Sequence, residues 1–160
     1  MAELWVVDAS PLISLDRIGS LDLLARLGHE LVVPASVLAE VARGPNPIAP
    51  DQIGAHRAVS VPTIHPVVAA WDLGIGESEV LSWALSTAGS TAILDDRAAR
   101  RCAATLSIPT RGTLHVVIEA KRSGVIPAVA PLIDRLRNGG LFLSDALVRS
   151  ALAAAGEERS

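Results

Sequence analysis

Short apolar runs, each ended abruptly by polar or turn-forming residues, recur along the chain and alternate with stretches of helical spacing. Leu4 to Val7 is the first such run, and its valines suit the pleated, buried surface of a strand. Asp8 ends it; Ser10 is then suited to cap a helix and Pro11 to occupy its first position. Leu12 to Ile18 and Leu21 to Leu27 read as helical pieces broken near Gly19. Glu30 to Val33 is a second strand, stopped by Pro34, and Ala35 to Arg43 places Val37, Leu38 and Val41 on one helical face. Thr91 to Leu94 predicts a third strand ending at Asp95 and Asp96, Ile108 to Thr110 a fourth, and Leu141 to Leu143 a last, edge strand. Helices are predicted over Glu77 to Thr87, Ala98 to Thr105, Leu114 to Arg122, Pro131 to Arg137 and Asp145 to Ala155. Gly124 closes the third of these and Ser144 opens the last.

Strand and helix in alternation imply right-handed crossovers. The fold class is therefore α/β: a three-layer α/β/α sandwich around a central, mainly parallel sheet of four or five strands. Between Gly44 and Pro66 the chain is rich in Pro and Gly and reads as a loop with one short helix around Asp51 to Arg57. No repeat or low-complexity linker divides the chain, so residues 1–156 form one domain and 157–160 a frayed tail.

Composition narrows the function. Half of the residues (50%) are hydrophobic, but there are only three Trp, one Phe and no Tyr, so stacking platforms for single strands are few. A net charge of −3 supplies no basic field for tight non-specific binding to duplex DNA. The lone Cys102 cannot form an internal disulfide, which fits a reducing compartment, and its neighbours Ala103 and Ala104 make it a core residue. No basic leader precedes an apolar stretch, and no apolar segment nears the roughly 18 residues that span a bilayer. A cytoplasmic, soluble protein is expected. The four histidines lack close ligand spacing, which argues against zinc.

The chemistry lies in the acids. Asp8 and the pair Asp95 and Asp96 follow apolar strands, at the sheet edge where open α/β sheets bind ligands. Glu40 sits near a helix C-terminus, an unfavourable place for a carboxylate; either Arg43 compensates it on the surface or it points over the sheet edge toward a cation. Glu77 aligns with Val80, Leu81, Ala84 and Ala88, so it tops the buried face of its helix, whereas Glu79 should point outward. Carboxylates gathered this closely repel one another, and a hard divalent cation removes the conflict. Oxygen ligands alone favour Mg²⁺ or Mn²⁺, which suit phosphodiester hydrolysis. Arg97, Arg100 and Arg101 lie close enough to neutralise the acids or to hold phosphates.

In order, Val6-Val7-Asp8-Ala9-Ser10-Pro11-Leu12-Ile13, Val33-Pro34 through Glu40-Val41, Leu73-Gly74-Ile75-Gly76-Glu77-Ser78-Glu79, Ile93-Leu94-Asp95-Asp96-Arg97 and Gly112-Thr113 through Gly124 resemble the PIN-domain family. That family comprises metal-dependent ribonucleases, among them the toxins of bacterial and archaeal toxin–antitoxin pairs. The resemblance implies Mg²⁺ or Mn²⁺, cleavage of single-stranded RNA, a small antitoxin partner and a homodimer, with the Gly44 to Pro66 loop a candidate contact. It assigns catalysis to Asp8, Glu40, Glu77 and Asp96, with Asp95 assisting at the metal. Ser10 would orient Asp8 or a water, and Arg97, Arg100 and Lys121 would hold the RNA backbone. Where some members carry a further acid, Ala98 and Ala99 follow Arg97, leaving a second metal site incomplete. His115, where similar sequences often have a small residue, either meets substrate at the pocket mouth or packs at a partly exposed position. Two alternatives compete. A haloacid-dehalogenase-type phosphatase needs a second aspartate two residues after the first, where Ser10 stands, and a receiver domain needs its acid pair on the first strand. A PIN-like fold could also serve only as a protein-binding module.

Overall fold

The computed structural model describes residues 2–157. Five strands form one wholly parallel sheet: β1 (Leu4–Val7), β2 (Glu30–Pro34), β3 (Arg57–Val59), β4 (Ser90–Ile93) and β5 (Thr110–Arg111), in the order β3-β2-β1-β4-β5. Leu4 pairs with both Glu30 and Ser90, so β1 is the central strand. Trp5, Val6 and Val7 are fully buried, as a strand covered by helices on both faces requires.

The connecting helices are α1 (Ala9–Arg17), α2 (Leu23–Arg26), α3 (Ala35–Ala42), α4 (Pro66–Ala69), α5 (Ile75–Ser86), α6 (Arg97–Thr105), α7 (Thr113–Arg122), α8 (Ala130–Asn138) and α9 (Asp145–Ala154). The expected break after α1 falls at Gly19, whose φ of +69° only glycine adopts without strain. Leu12, Leu15, Leu24, Leu81, Ile93 and Leu94 meet in the core with almost no exposure, each contributing about 1.5–3 kcal/mol by burial. Beneath them Trp5 stacks on His29 with ring centroids 4.1 Å apart. Cys102 is free and buried among them. Among the described residues no helix is long and apolar enough to cross a membrane.

Several expectations need correction. The first helix begins at Ala9 with Asp8 at its N-cap position, so Ser10 lies within the first turn and Pro11 at its third residue. The short helix expected around Asp51 to Arg57 is a single 3-10 turn, Pro50–Ile53. Beyond it Arg57–Val59 forms β3, pairing Val32 with Arg57 and Val33 with Ala58. Leu141 to Leu143 is not a strand: Leu141 N–H donates to the Leu136 carbonyl at 3.0 Å, and the Leu143 carbonyl accepts from Arg137 Nε at 3.1 Å and Nη2 at 2.6 Å. The Leu141 N–H and the Leu143 carbonyl are thus engaged locally and are not available to a ladder.

The phase of α5 also differs. Glu79, expected outside, is buried, and Glu77 is only partly so. α5 packs on β1, β2 and β4 and is flanked by α3, α4 and α6, so burial extends around most of its circumference. Finally, Glu157, expected to fray, is tied down: its carboxylate accepts from Lys121 Nζ at 3.1 Å, from Val129 N–H at 2.8 Å and from Ala130 N–H at 3.3 Å. The rest of the expected tail, residues 158–160, lies outside the described residues.

Candidate functional site

Asp8 extends the line of β1, its backbone N–H donating to the Ile93 carbonyl at 3.0 Å. The strand order puts this residue at the middle of the carboxyl edge, where the chain turns directly into α1. Its side chain is only 3% exposed and opens into a cavity of about 330 Å³ that Glu40, Glu77, Ser10 and Arg17 also line. Glu40 reaches it from the last turn of α3 and Glu77 from the first turn of α5.

Burial pushes the Asp8 carboxyl up to about 7 from an ordinary 3.8, helped by the nearby charges of Glu77, Glu40 and Asp95, while the Ala9 N–H offsets part of the rise. Burial raises Glu77 as well, with Asp96 and then Glu40 adding to it. Glycines permit this crowding. A Cβ on Gly76 would lie 3.2 Å from Asp8 Oδ1 and 3.4 Å from Val37, and one on Gly74 would overlap the Glu77 carboxylate.

Asp95 and Asp96 follow β4 and diverge in role. Asp95 is held by three donors: Thr113 N–H at 2.8 Å, Thr113 Oγ1 at 2.6 Å and Ser10 Oγ at 3.2 Å. Asp96 is exposed and caps α6, accepting from Ala99 N–H at 2.9 Å. Among the described residues none of these five acids forms an ion pair. Asp8 is a buried carboxylate in the field of other carboxylates, ion-paired with no cation among the described residues and with glycine-lined space beside it, a donor set suited to a hard divalent cation.

The edge thus brings together Asp8, Glu40 and Glu77 around one cavity, with Asp95 and Asp96 beside it and Ser10 bridging to Asp95. Arg97 and Arg100 are exposed on the first turns of α6. Lys121 is not brought to this edge. It lies in the last turn of α7, whose opposite end holds Asp95, and pairs with Glu157 at 3.1 Å.

Two residues escaped the sequence reading. Arg17 lines the cavity and donates from Nη1 to the Gly139 carbonyl at 2.9 Å. Its signal was available, since Ser10, Ser14 and Arg17 recur at i, i+4 and i+7 as a polar stripe on α1, and all three line the cavity. Thr113 carried no such signal, because its role depends on a contact 18 residues away in sequence. Thr113→Val should weaken Mn²⁺ binding at this edge about 10- to 100-fold in a titration, the usual cost of freeing a positioned ligand, with the melting temperature nearly unchanged. A loss below threefold would show that Asp95 does not need this grip.

A second group of ligand-capable side chains lies elsewhere. Atoms of Glu3, His29 and Glu119 all fall within 4.8 Å of one another at the amino ends of β1 and β2. His29 Nδ1 accepts the Glu3 backbone N–H at 2.9 Å, so its proton resides on Nε2, facing Glu119 Oε1 at 2.8 Å. Both ring nitrogens are occupied, so this cluster offers a cation no imidazole lone pair.

Comparison with known proteins agrees with the edge geometry. No curated protein compared matches the chain. The profile of a PIN-domain family matches residues 4–157. That span takes in all five strands and every acid at the carboxyl edge. The chain belongs to the PIN-domain family, whose members are generally nucleases.

Proposed function

We propose that the chain is an endoribonuclease that hydrolyses phosphodiesters of single-stranded RNA with Mg²⁺ or Mn²⁺. The observation that carries this reading is Asp8: a nearly buried carboxylate at the centre of the sheet edge, raised to about 7 by burial and by its acidic neighbours. Asp8, Glu40, Glu77 and Asp96 would hold the cation, with Asp95 beside them. When bound, the cation polarises the scissile phosphoryl oxygen, acidifies water and stabilises the leaving oxygen.

The remaining work falls to the chain. Ser10, which lines the cavity, and Thr113 fix Asp95 beside it. Glu77, in the first turn of α5, lines the cavity with Asp8, where it would complete the oxygen ligand set. Arg17 at the rim, with Arg97 and Arg100 across the edge, gives the RNA backbone its counter-charges. A toxin role in the cytoplasm, with a small antitoxin and a homodimer, follows from the family resemblance alone. A short reading frame for a DNA-binding protein beside the gene would support it.

The direct test incubates the purified protein with a labelled single-stranded oligoribonucleotide and Mn²⁺. Endonucleolytic fragments that vanish with chelator and with Asp8→Asn are expected. Intact RNA at high enzyme concentration, with Mn²⁺ bound, would point to a protein-binding module on a nuclease fold.

A further inference from the structure

The cleft at the carboxyl edge does not end with the acids. On the far side of Leu141, which lines both spaces, a second cavity of about 280 Å³ opens against Asp95. Its chemistry is different. Ile118, Phe142, Leu143 and Leu147 form most of its wall, and Arg100 and His115 supply its polar contacts.

Phe142 is the chain's single phenylalanine and is 84% exposed; Leu147 is 46% exposed. The ridge that carries Phe142 is pinned. Leu141 N–H donates to Leu136, the Leu143 carbonyl is held by the Arg137 guanidinium, and Arg137 pairs with Asp145 at 2.8 Å. A fixed backbone thus presents a bare ring beside the acid cavity. His115 is kept below its ordinary pKa by burial and then by Arg111, so near neutral pH its ring is uncharged and can both donate and accept. Arg100 forms no ion pair among the described residues, and a Cβ on Gly112 would lie 3.0 Å from its Nη1 and 2.9 Å from Asp95 Oδ1. That guanidinium therefore stands close to Asp95 on the wall of the second cavity.

We infer that the second cavity is a nucleobase subsite: a base of the RNA strand lying across the acids stacks on Phe142, with Arg100 beside the phosphate that joins it to the cleavage point. The occupant follows from continuity and charge. A polyanion leaving the acid cavity needs a cation and an apolar, aromatic shelf nearby, and the adjoining cavity across Leu141 is lined by both. This inference rests on the ribonuclease reading, but its test does not require cleavage.

The test uses the full chain with Ca²⁺ in place of Mn²⁺ and follows fluorescence anisotropy. Two labelled probes of equal length are compared, a single-stranded oligoribonucleotide and a ribose-phosphate oligomer lacking bases. Phe142→Ala should weaken binding of the first about 10- to 100-fold, the range of a single base–aromatic stack, and leave the second unchanged. Phe142→Trp should restore the affinity. Phe142 is exposed, so an unchanged melting temperature is expected to confirm that Phe142→Ala still folds. Equal binding by wild type and Phe142→Ala overturns the subsite, and so does a dimer that Phe142→Ala dissociates with RNA affinity intact. Cleavage of RNA by wild type together with either result sinks the subsite alone; no RNA binding and no cleavage by wild type sinks both readings.

Discussion

Asp8→Asn should abolish function and stabilise the metal-free protein at once. Loss of one preorganised charged group from the reacting centre predicts a fall in turnover of about 10²–10³-fold. The stability effect runs the other way. In the unfolded chain this carboxyl ionises near 3.8, whereas in the fold it keeps its proton to about 7. The folded state therefore binds the extra proton between those values, and stability falls as pH rises through them. A gap of that size corresponds to a penalty on the order of 4 kcal/mol, complete above pH 7 and absent below pH 4. Asparagine has the same shape and no charge. Melts in chelator should find the variant close to wild type at pH 4 and clearly more stable at pH 8. With Mn²⁺ at about 100 times its Kd, wild type should gain roughly 2.7 kcal/mol and the variant little. A variant less stable than wild type at pH 8 in chelator would mean that Asp8 is not held under electrostatic strain.

Trp5→Ala is expected to be the most damaging change outside the cleft. The side chain is fully buried in the central strand and stacks on His29 at 4.1 Å. Its removal leaves a void between the sheet and the helical layer and frees the ring that links Glu3 to Glu119. Large aromatic truncations in a core cost about 3–5 kcal/mol, which lowers the melting temperature by roughly 6–20 °C for a chain of this size. Urea titration gives the number directly, and a loss under about 1.5 kcal/mol would mean that the neighbouring helices close over the gap. Trp5→Phe should cost far less, in part because Trp5 Nε1 has no hydrogen-bond partner to lose.

What could be read from the chain, and what could not, follows from how local each signal is. β1 and β2 announce themselves because each is buried on both faces and so is apolar at successive positions, and β4 does so through Ala92, Ile93 and the following Leu94. Asp8, Asp95 and Asp96 are conspicuous for the same reason, as the first charges after such runs. β3 is an edge strand with Arg57 and Ala58 exposed, so composition does not betray it; it exists because β2 offers a row of backbone groups to pair with. Leu141 to Leu143 misleads in the opposite sense, being apolar enough for a strand while Arg137 takes its carbonyl. Glu79 is buried by helices packed on the flanks of α5, a circumstance that periodicity within α5 does not register. Lys121 looked available because its partner, Glu157, is 36 residues further on. For β3, Glu79 and Lys121 the deciding partner is distant in sequence; for Leu141 to Leu143 it is a side chain six residues away.

The register of the sheet has a consequence for how the molecule is made. Leu4 to Val7 find one neighbour in Glu30 to Val32 but the other only in Ser90 to Ile93. As synthesis proceeds, the most apolar edge of the nascent half-sheet stays open while some sixty residues between those neighbours emerge. That open edge invites pairing with another chain until β4 arrives. Ribosome-bound fragments stopped before residue 90 should accordingly recruit chaperones, and fragments long enough for residue 111 to have left the ribosome, so that the sheet can close, should release them.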